Sequence, residues 1–137
     1  MSKRRKSREL ALQALYQIDI GGLKIEEVLK YHWTDRKYHK DITDYATDLI
    51  YGTMLHKDTI DQFIIDNLTN YTFEELSEIE KNILRFSIYS MLYLKNVPFK
   101  VIVDEAIEIS KKYGIEESYK LINGVLECIN SKIKNST

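Results

Sequence analysis

The sequence predicts one compact all-α domain, and three observations carry that prediction. Apolar residues recur at the three- and four-residue spacing of a helix face almost throughout. Five Gly and one Pro in 137 residues leave little turn chemistry, whereas a sandwich or barrel needs a turn every ~8–12 residues. Fifteen aromatics, with many Ile and Leu residues, are there to be buried and exclude a disordered chain. A chain of this length buries roughly two thirds of its unfolded surface, enough for a single core.

The elements follow in order. Leu10, Ala11, Ala14, Leu15 and Ile18 form one stripe of a first helix, ended by Gly21-Gly22. Ile25, Val28, Leu29 and His32 continue the period in a short second helix. A third, from about Asp41 to His56, places Ile42, Tyr45, Ala46, Leu49 and Thr53 on one side. A fourth begins at Asp58 and uses Ile60, Phe63, Ile64 and Leu68. Thr72 with Glu75, and Ser77 with Glu80, both match the capping-box spacing. Ser77 is read as the start of the fifth helix, which runs to about Leu94, with 72–76 as a turn before it. Its apolar positions cover most of the circumference, which marks a central helix. Pro98 suits the first turn of a sixth helix, and Gly114 is read as its left-handed stop. A last helix uses Ile122, Val125, Leu126, Ile129 and Ile133. The period runs unbroken through Gly124, so that glycine is read as a close-packing point within it. The sum is about seven helices in one domain spanning 1–137.

Charge is unevenly spread. The net charge is −1, yet residues 1–8 carry Lys3, Arg4, Arg5, Lys6 and Arg8 without an acid. The remainder holds 15 basic and 21 acidic residues, a net of −6. If Ser7 caps the first helix, the basic residues form a mobile arm over 1–7. If the helix starts earlier, they crowd its positive end, where an anion would relieve the repulsion. The charge run alone leaves nucleic-acid binding and a solubilising tail both open. Five cations meeting about 4–5 phosphates of a single strand imply a log–log salt slope of about −3. On a helical wheel Tyr16 falls on the far side of the first helix with Lys6, Glu9 and Gln13. An aromatic among polar residues there fits a partner contact or a stacking platform.

Catalytic motifs do not stand out. The chain lacks a Gly-rich phosphate loop, GxSxG, HExxH and CxxC. His32, His39 and His56 are scattered without a metal-ligand spacing, and no carboxylate pair singles itself out. Hence no enzyme activity, cofactor or metal is expected. The lone Cys128 reads as a packing residue and fits a reducing cytoplasm. No apolar run reaches the ~18 residues of a membrane span, and no secretory signal follows the basic start.

Three blocks then resemble a known family. Arg4 through Tyr16 (RRKSRELALQALY) is similar to the Arg-rich first helix of the NusB family of bacterial transcription antitermination proteins. Leu76 through Arg85 resembles its central helix. Val97-Pro98-Phe99-Lys100-Val101, Asp104 through Glu108, Tyr113-Gly114 and Asn123 through Leu126 resemble its C-terminal signature. The blocks stand in family order over almost the whole chain. The resemblance implies two packed helical subdomains. It also implies binding to single-stranded boxA RNA of ribosomal RNA operons together with the ribosomal protein NusE, within an RNA polymerase antitermination complex. Carried over by position, Lys3, Arg4, Arg5, Lys6 and Arg8, with Gln13 nearby, would meet RNA. Glu117, Lys120 and Leu121 would form a second RNA-facing patch, and Tyr16, Glu74 and Glu80 would face NusE. Leu121 stands where the family often has an aromatic, and Ser90 where an acid is usual.

The main expectation is therefore an RNA-binding adaptor. The alternatives are a helical protein-interaction module whose basic run is only a tail, and a small helical hydrolase. A related alternative is a stand-alone version of the helical RNA-binding domain that some ribosomal-RNA methyltransferases carry; no cofactor-binding domain follows Thr137, so a methyltransferase itself is not expected. The resemblance leaves open both a monomer and a homodimer whose interface covers the RNA site.

Overall fold

The structure, a computed structural model, describes residues 2–135. Met1, at the head of the expected arm, and residues 136–137, at the end of the expected domain, lie outside the described residues. The chain order is α1 (Lys3–Asp19), α2 (Ile25–Val28), α3 (Lys40–Leu55), α4 (Lys57–Asp66), a 3-10 turn (Phe73–Glu75), α5 (Glu78–Tyr93), α6 (Phe99–Tyr113) and α7 (Ser118–Asn135). The expected all-α class is what the chain adopts: seven α-helices and no strand among the described residues.

Helix α5 is central because its sequence is apolar on most sides. Ile83, Leu84, Phe86 and Ile88 are all essentially inaccessible. It packs against α1, α3 and α4 on one side and against α6 and α7 on the other. Both capping boxes form. Ser77 Oγ accepts from the Glu80 N–H at 3.1 Å, and Glu80 Oε1 accepts from the Ser77 N–H at 2.8 Å. Such a reciprocal pair satisfies backbone donors that the helix leaves free.

A buried ionic hub fixes how α5 meets α1 and α4. Arg85 is only 5% exposed. Its Nε and Nη2 donate to the two Asp61 oxygens at 2.8 and 3.1 Å, and its Nη1 donates to Asp19 at 3.0 Å and Asn82 at 3.0 Å. Burial works against the charge, but Asp61 and Asp19 more than offset it and raise the guanidinium's pKa.

Three local readings are corrected. Pro98 sits at the N-cap of α6 rather than inside its first turn. Gly114 ends α6 with φ −90° and ψ −177°, an extended conformation and not a left-handed one. A Cβ there would lie 2.8 Å from the Ser110 carbonyl oxygen and 3.0 Å from Ser118, so lack of room selects glycine. Gly124 is not a close-packing point. It is exposed, and nothing stands within 4 Å of where its Cβ would be. The close approach occurs at Gly52, where a Cβ would fall 2.1 Å from Tyr89 Cζ. That ring is pinned by its hydroxyl, which donates to Asp48 at 2.7 Å. Burial, then the Asp48 carboxylate, pushes the Tyr89 pKa up to about 12. The left-handed turn that ends α1 falls at Gly22, with φ +72°.

Two expectations follow. Arg85→Ala leaves Asp19 and Asp61 facing each other without their cation, and urea unfolding should register a loss of about 3–5 kcal/mol. The two glycines should respond with opposite signs in thermal melts. Gly52→Ala should destabilise by about 1–3 kcal/mol through overpacking, whereas Gly124→Ala should stabilise by up to ~1 kcal/mol through helix propensity.

Candidate nucleic-acid interface

The basic segment is helical from Lys3. Ser2, not Ser7, is the N-cap, and its Oγ accepts from the Arg5 N–H at 3.0 Å. Ser7 is fully buried one turn further on and donates to the carbonyls of Ile42 (2.9 Å) and Lys3 (3.1 Å). It therefore ties α1 to α3. Of the two alternatives posed by the sequence, the charges crowd the positive end of a helix.

Other helices supply the anions this crowding requires. Arg5 makes a bidentate pair with Glu105 of α6: its Nε donates to Oε1 at 3.0 Å and its Nη2 to Oε2. Arg8, 5% exposed, donates to the same carboxylate at 3.3 Å. Lys3 reaches Asp41 at 3.3 Å, with both side chains exposed. Arg4 lies 3.9 Å above the Tyr45 ring centre, a cation–π contact. Lys6 is exposed and makes no ion pair among the described residues. The five cations thus divide. Arg5 and Arg8 are largely engaged within the fold, while Lys3, Arg4 and Lys6 face outward.

The α1–α6 seam continues one turn on. Glu9, expected on an exposed face, is buried. Its Oε1 accepts from Tyr113 Oη at 2.6 Å and Lys112 Nζ at 2.7 Å. Gln13 donates to the same tyrosine hydroxyl at 3.2 Å, so its amide is already in use. Burial, then the Glu9 carboxylate, raises the Tyr113 pKa.

Tyr16 keeps its expected exposure at 41%. It borders an open groove of about 500 Å³ with Leu12, Trp33, Ile79 and Tyr113. Trp33 is held there by its indole N–H, which donates to the Val28 carbonyl at 2.8 Å. Glu74 is exposed on the 3-10 turn. Glu80 is not at a surface. It is 7% exposed, and its second oxygen accepts from the Ser118 hydroxyl at 2.8 Å. Its carboxylate is engaged in joining α5 to α7. Glu117 and Lys120 are exposed and paired at 2.9 Å, and with half-buried Leu121 they line a separate groove on α7.

Sequence reasoning missed Glu105, Tyr45 and Trp33 as members of the surface. An acid flanking the apolar stripe of the sixth helix was visible, but its partners lie 97 and 100 residues away. Tyr45 was placed on the inner side, and its position two helices from the basic run gave no sign that Arg4 would cover it. The single tryptophan was the available signal for the groove.

This is the architecture of a helical binding protein: a cationic helix end locked by a carboxylate, beside an aromatic groove. Residues 5–131 match the family model described as the NusB family. The transcription antitermination protein NusB of Treponema denticola is 37% identical over 131 residues, covering 94% of this chain and 96% of that protein. The solved structure of T. maritima NusB superposes with a TM-score of 0.85 at 32% identity, covering 100% of this chain and 99% of that one. A structure of the antitermination factors NusB and NusE in complex with dsRNA gives 0.79 at 27% identity, covering 96% and 98%. The chain belongs to the NusB family of transcription antitermination factors.

The Arg5–Glu105–Arg8 cluster yields a pH expectation. The bond from Arg5 holds the Glu105 carboxyl below its ordinary value of 4.5. A depressed carboxylate pKa contributes stability that is full above the ordinary value and lost as pH falls through the lower, folded one. Glu105→Gln should therefore lower the melting temperature near neutrality and flatten its decline as pH falls through and below the ordinary carboxylate value.

Proposed function

We propose that this protein binds boxA-type single-stranded RNA of ribosomal RNA operons together with the ribosomal protein NusE, and acts within an RNA polymerase antitermination complex in the cytoplasm. The whole chain serves as one RNA-binding domain, and its role is binding rather than catalysis. The observation that carries this reading is the start of α1. There Lys3, Arg4 and Lys6 face outward around a positive helix end, while Glu105 holds Arg5 and Arg8 behind them. Backbone N–H groups, helix dipole and outward cations together make an anion site. Single-stranded RNA adds base edges and faces that side chains can read. Tyr16, with Trp33 and Ile79 beside it, offers the ribosomal protein an aromatic groove, and Glu74 adds an acidic rim. The net −6 of the chain beyond residue 8 favours encounter with a basic partner.

The internal pairing of Arg5 and Arg8 is also what would favour a protein-interaction module without RNA binding, and salt dependence separates the two. Three outward cations predict a log–log slope of about −2 with single-stranded RNA, shallower than five would give. Arg4→Ala with Lys6→Ala should reduce it to about −1. Tyr16→Ala should leave the slope unchanged and weaken NusE binding. An absent slope in the parent protein, or one unmoved by the double variant, would refute the RNA reading.

A further inference from the structure

The outer side of α3 is a surface that neither the RNA nor the ribosomal-protein contact uses. From Asp41 onward, the exposed residues of that helix are Asp41, Asp44, Asp48, Tyr51 and Leu55. They recur at alternating steps of three and four, which puts them in one stripe. The stripe is acidic in its first half and apolar in its second. Tyr51 is 55% exposed and Leu55 63%. Isolated exposed apolar residues are ordinary, but these two have company. Directly after Leu55 the chain turns at His56, whose ring stacks on Tyr93 of α5 with 4.0 Å between centres and 15° between planes. Tyr93 is itself exposed, and it also stacks on Tyr89 at 5.5 Å.

The fold holds this cluster rigidly. Gly52 lacks the Cβ that would collide with the Tyr89 ring, and Asp48 Oδ1 accepts the Tyr89 hydroxyl. A glycine is unfavourable inside a helix, and here it lets α3 lie close enough to α5 for the rings to stack. Exposed rings already fixed in place lose little freedom on binding, and tyrosines are favoured anchors of protein interfaces. The carboxylates beside them are loosely engaged. Asp44 pairs with Lys40, and Asp41 with Lys3 and His39, all between exposed side chains. Such pairs contribute little and exchange readily for another cation.

Charge decides what this surface takes. Three carboxylates in one stripe repel the phosphates of an RNA strand. Asp58, exposed at the start of α4, makes the far end of the patch acidic too. A second copy presenting the same face would therefore set carboxylates against carboxylates. The groove offered to the ribosomal protein lies at the other end of α5. Ile79 borders that groove and Tyr93 ends the helix, about 21 Å further along its axis. We propose that the α3 face docks a Lys/Arg-rich amphipathic segment of a third protein in the antitermination complex. Apolar residues of that segment cover Tyr51 and Leu55. An Arg side chain lies against the exposed part of Tyr93, and further cations answer Asp44 and Asp48. This contact is additional to those with RNA and NusE and needs neither of them.

The test assembles the full chain with boxA-like RNA, the ribosomal protein and elongating RNA polymerase. A benzophenone photocrosslinker is placed at Tyr51 and, in a separate preparation, at Tyr16. The Tyr51 position should crosslink a protein other than NusE, within a segment rich in Lys and Arg, while the Tyr16 position crosslinks NusE. Tyr51→Ala with Leu55→Ala should weaken binding of the captured protein about tenfold or more. Asp44→Asn should slow its association at low salt, and that difference should fade as salt rises. Thermal melts should show intact folding, since only exposed side chains are altered, and affinities for RNA and NusE should be unchanged. A Tyr51 crosslink to RNA, to a second copy or to NusE overturns the proposal, as does no crosslink at all. A captured protein whose affinity ignores these variants overturns it as well. Failure of the RNA reading shows separately, as RNA affinity unmoved by Arg4→Ala with Lys6→Ala.

Discussion

Arg85 is the constraint on which the rest of the molecule depends. One buried guanidinium on the central helix must find carboxylates, and it takes Asp61 from α4 and Asp19 from the last turn of α1. Replacing such a hub by apolar residues need not cost stability, but removing one member strands a buried charge. Its value therefore lies in registry. With Asp19 tied to α5, the far end of α1 has one position, and that position brings Arg5 and Arg8 to Glu105 of α6.

The α1–α6 seam that results is polar in a way a packed interface usually is not. Arg5, Arg8, Glu9 and Gln13 on one helix meet Glu105, Lys112 and Tyr113 on the other. The seam spends part of the basic run on structure, but it also settles where the remainder points. A phosphate approaching α1 meets cations whose helix is already ordered, so binding need not order an arm first. Glu105 has a second effect. It offsets two positive charges at a helix end where like charges and the dipole would otherwise oppose folding.

Much of this fold was legible because it is local. Two hydroxyl–carboxylate pairs spaced three apart announced the 3-10 turn and α5, and both formed as boxes. The stripes of α1, α3 and α7 were readable from their period alone, as was the exposure of Tyr16. What escaped depends on pairs far apart in sequence. Glu9 falls on the exposed face of a helical wheel and Glu80 reads only as a local cap, yet each is buried with a partner more than 30 residues away. Glycine was misread for a related reason. Sequence marks where a Cβ is missing, not what stands opposite. Gly52 faces a tyrosine ring, Gly114 a carbonyl, and Gly124 an open cleft.

Glu80 shows how a buried acid still bears on two surface grooves. One oxygen caps α5, whose second residue, Ile79, borders the Tyr16 groove. The other accepts from Ser118, the first residue of α7, whose next turns wall the α7 groove. A single carboxylate, 7% exposed, thus ties together the elements that border the Tyr16 groove and the α7 groove. Surfaces joined through a rigid core cannot signal by a large rearrangement. Cooperation between two ligands then has a simpler source. An RNA strand held along one surface presents itself at high effective concentration to a protein held at the other. The linkage is reciprocal, so each ligand strengthens the other by the same factor.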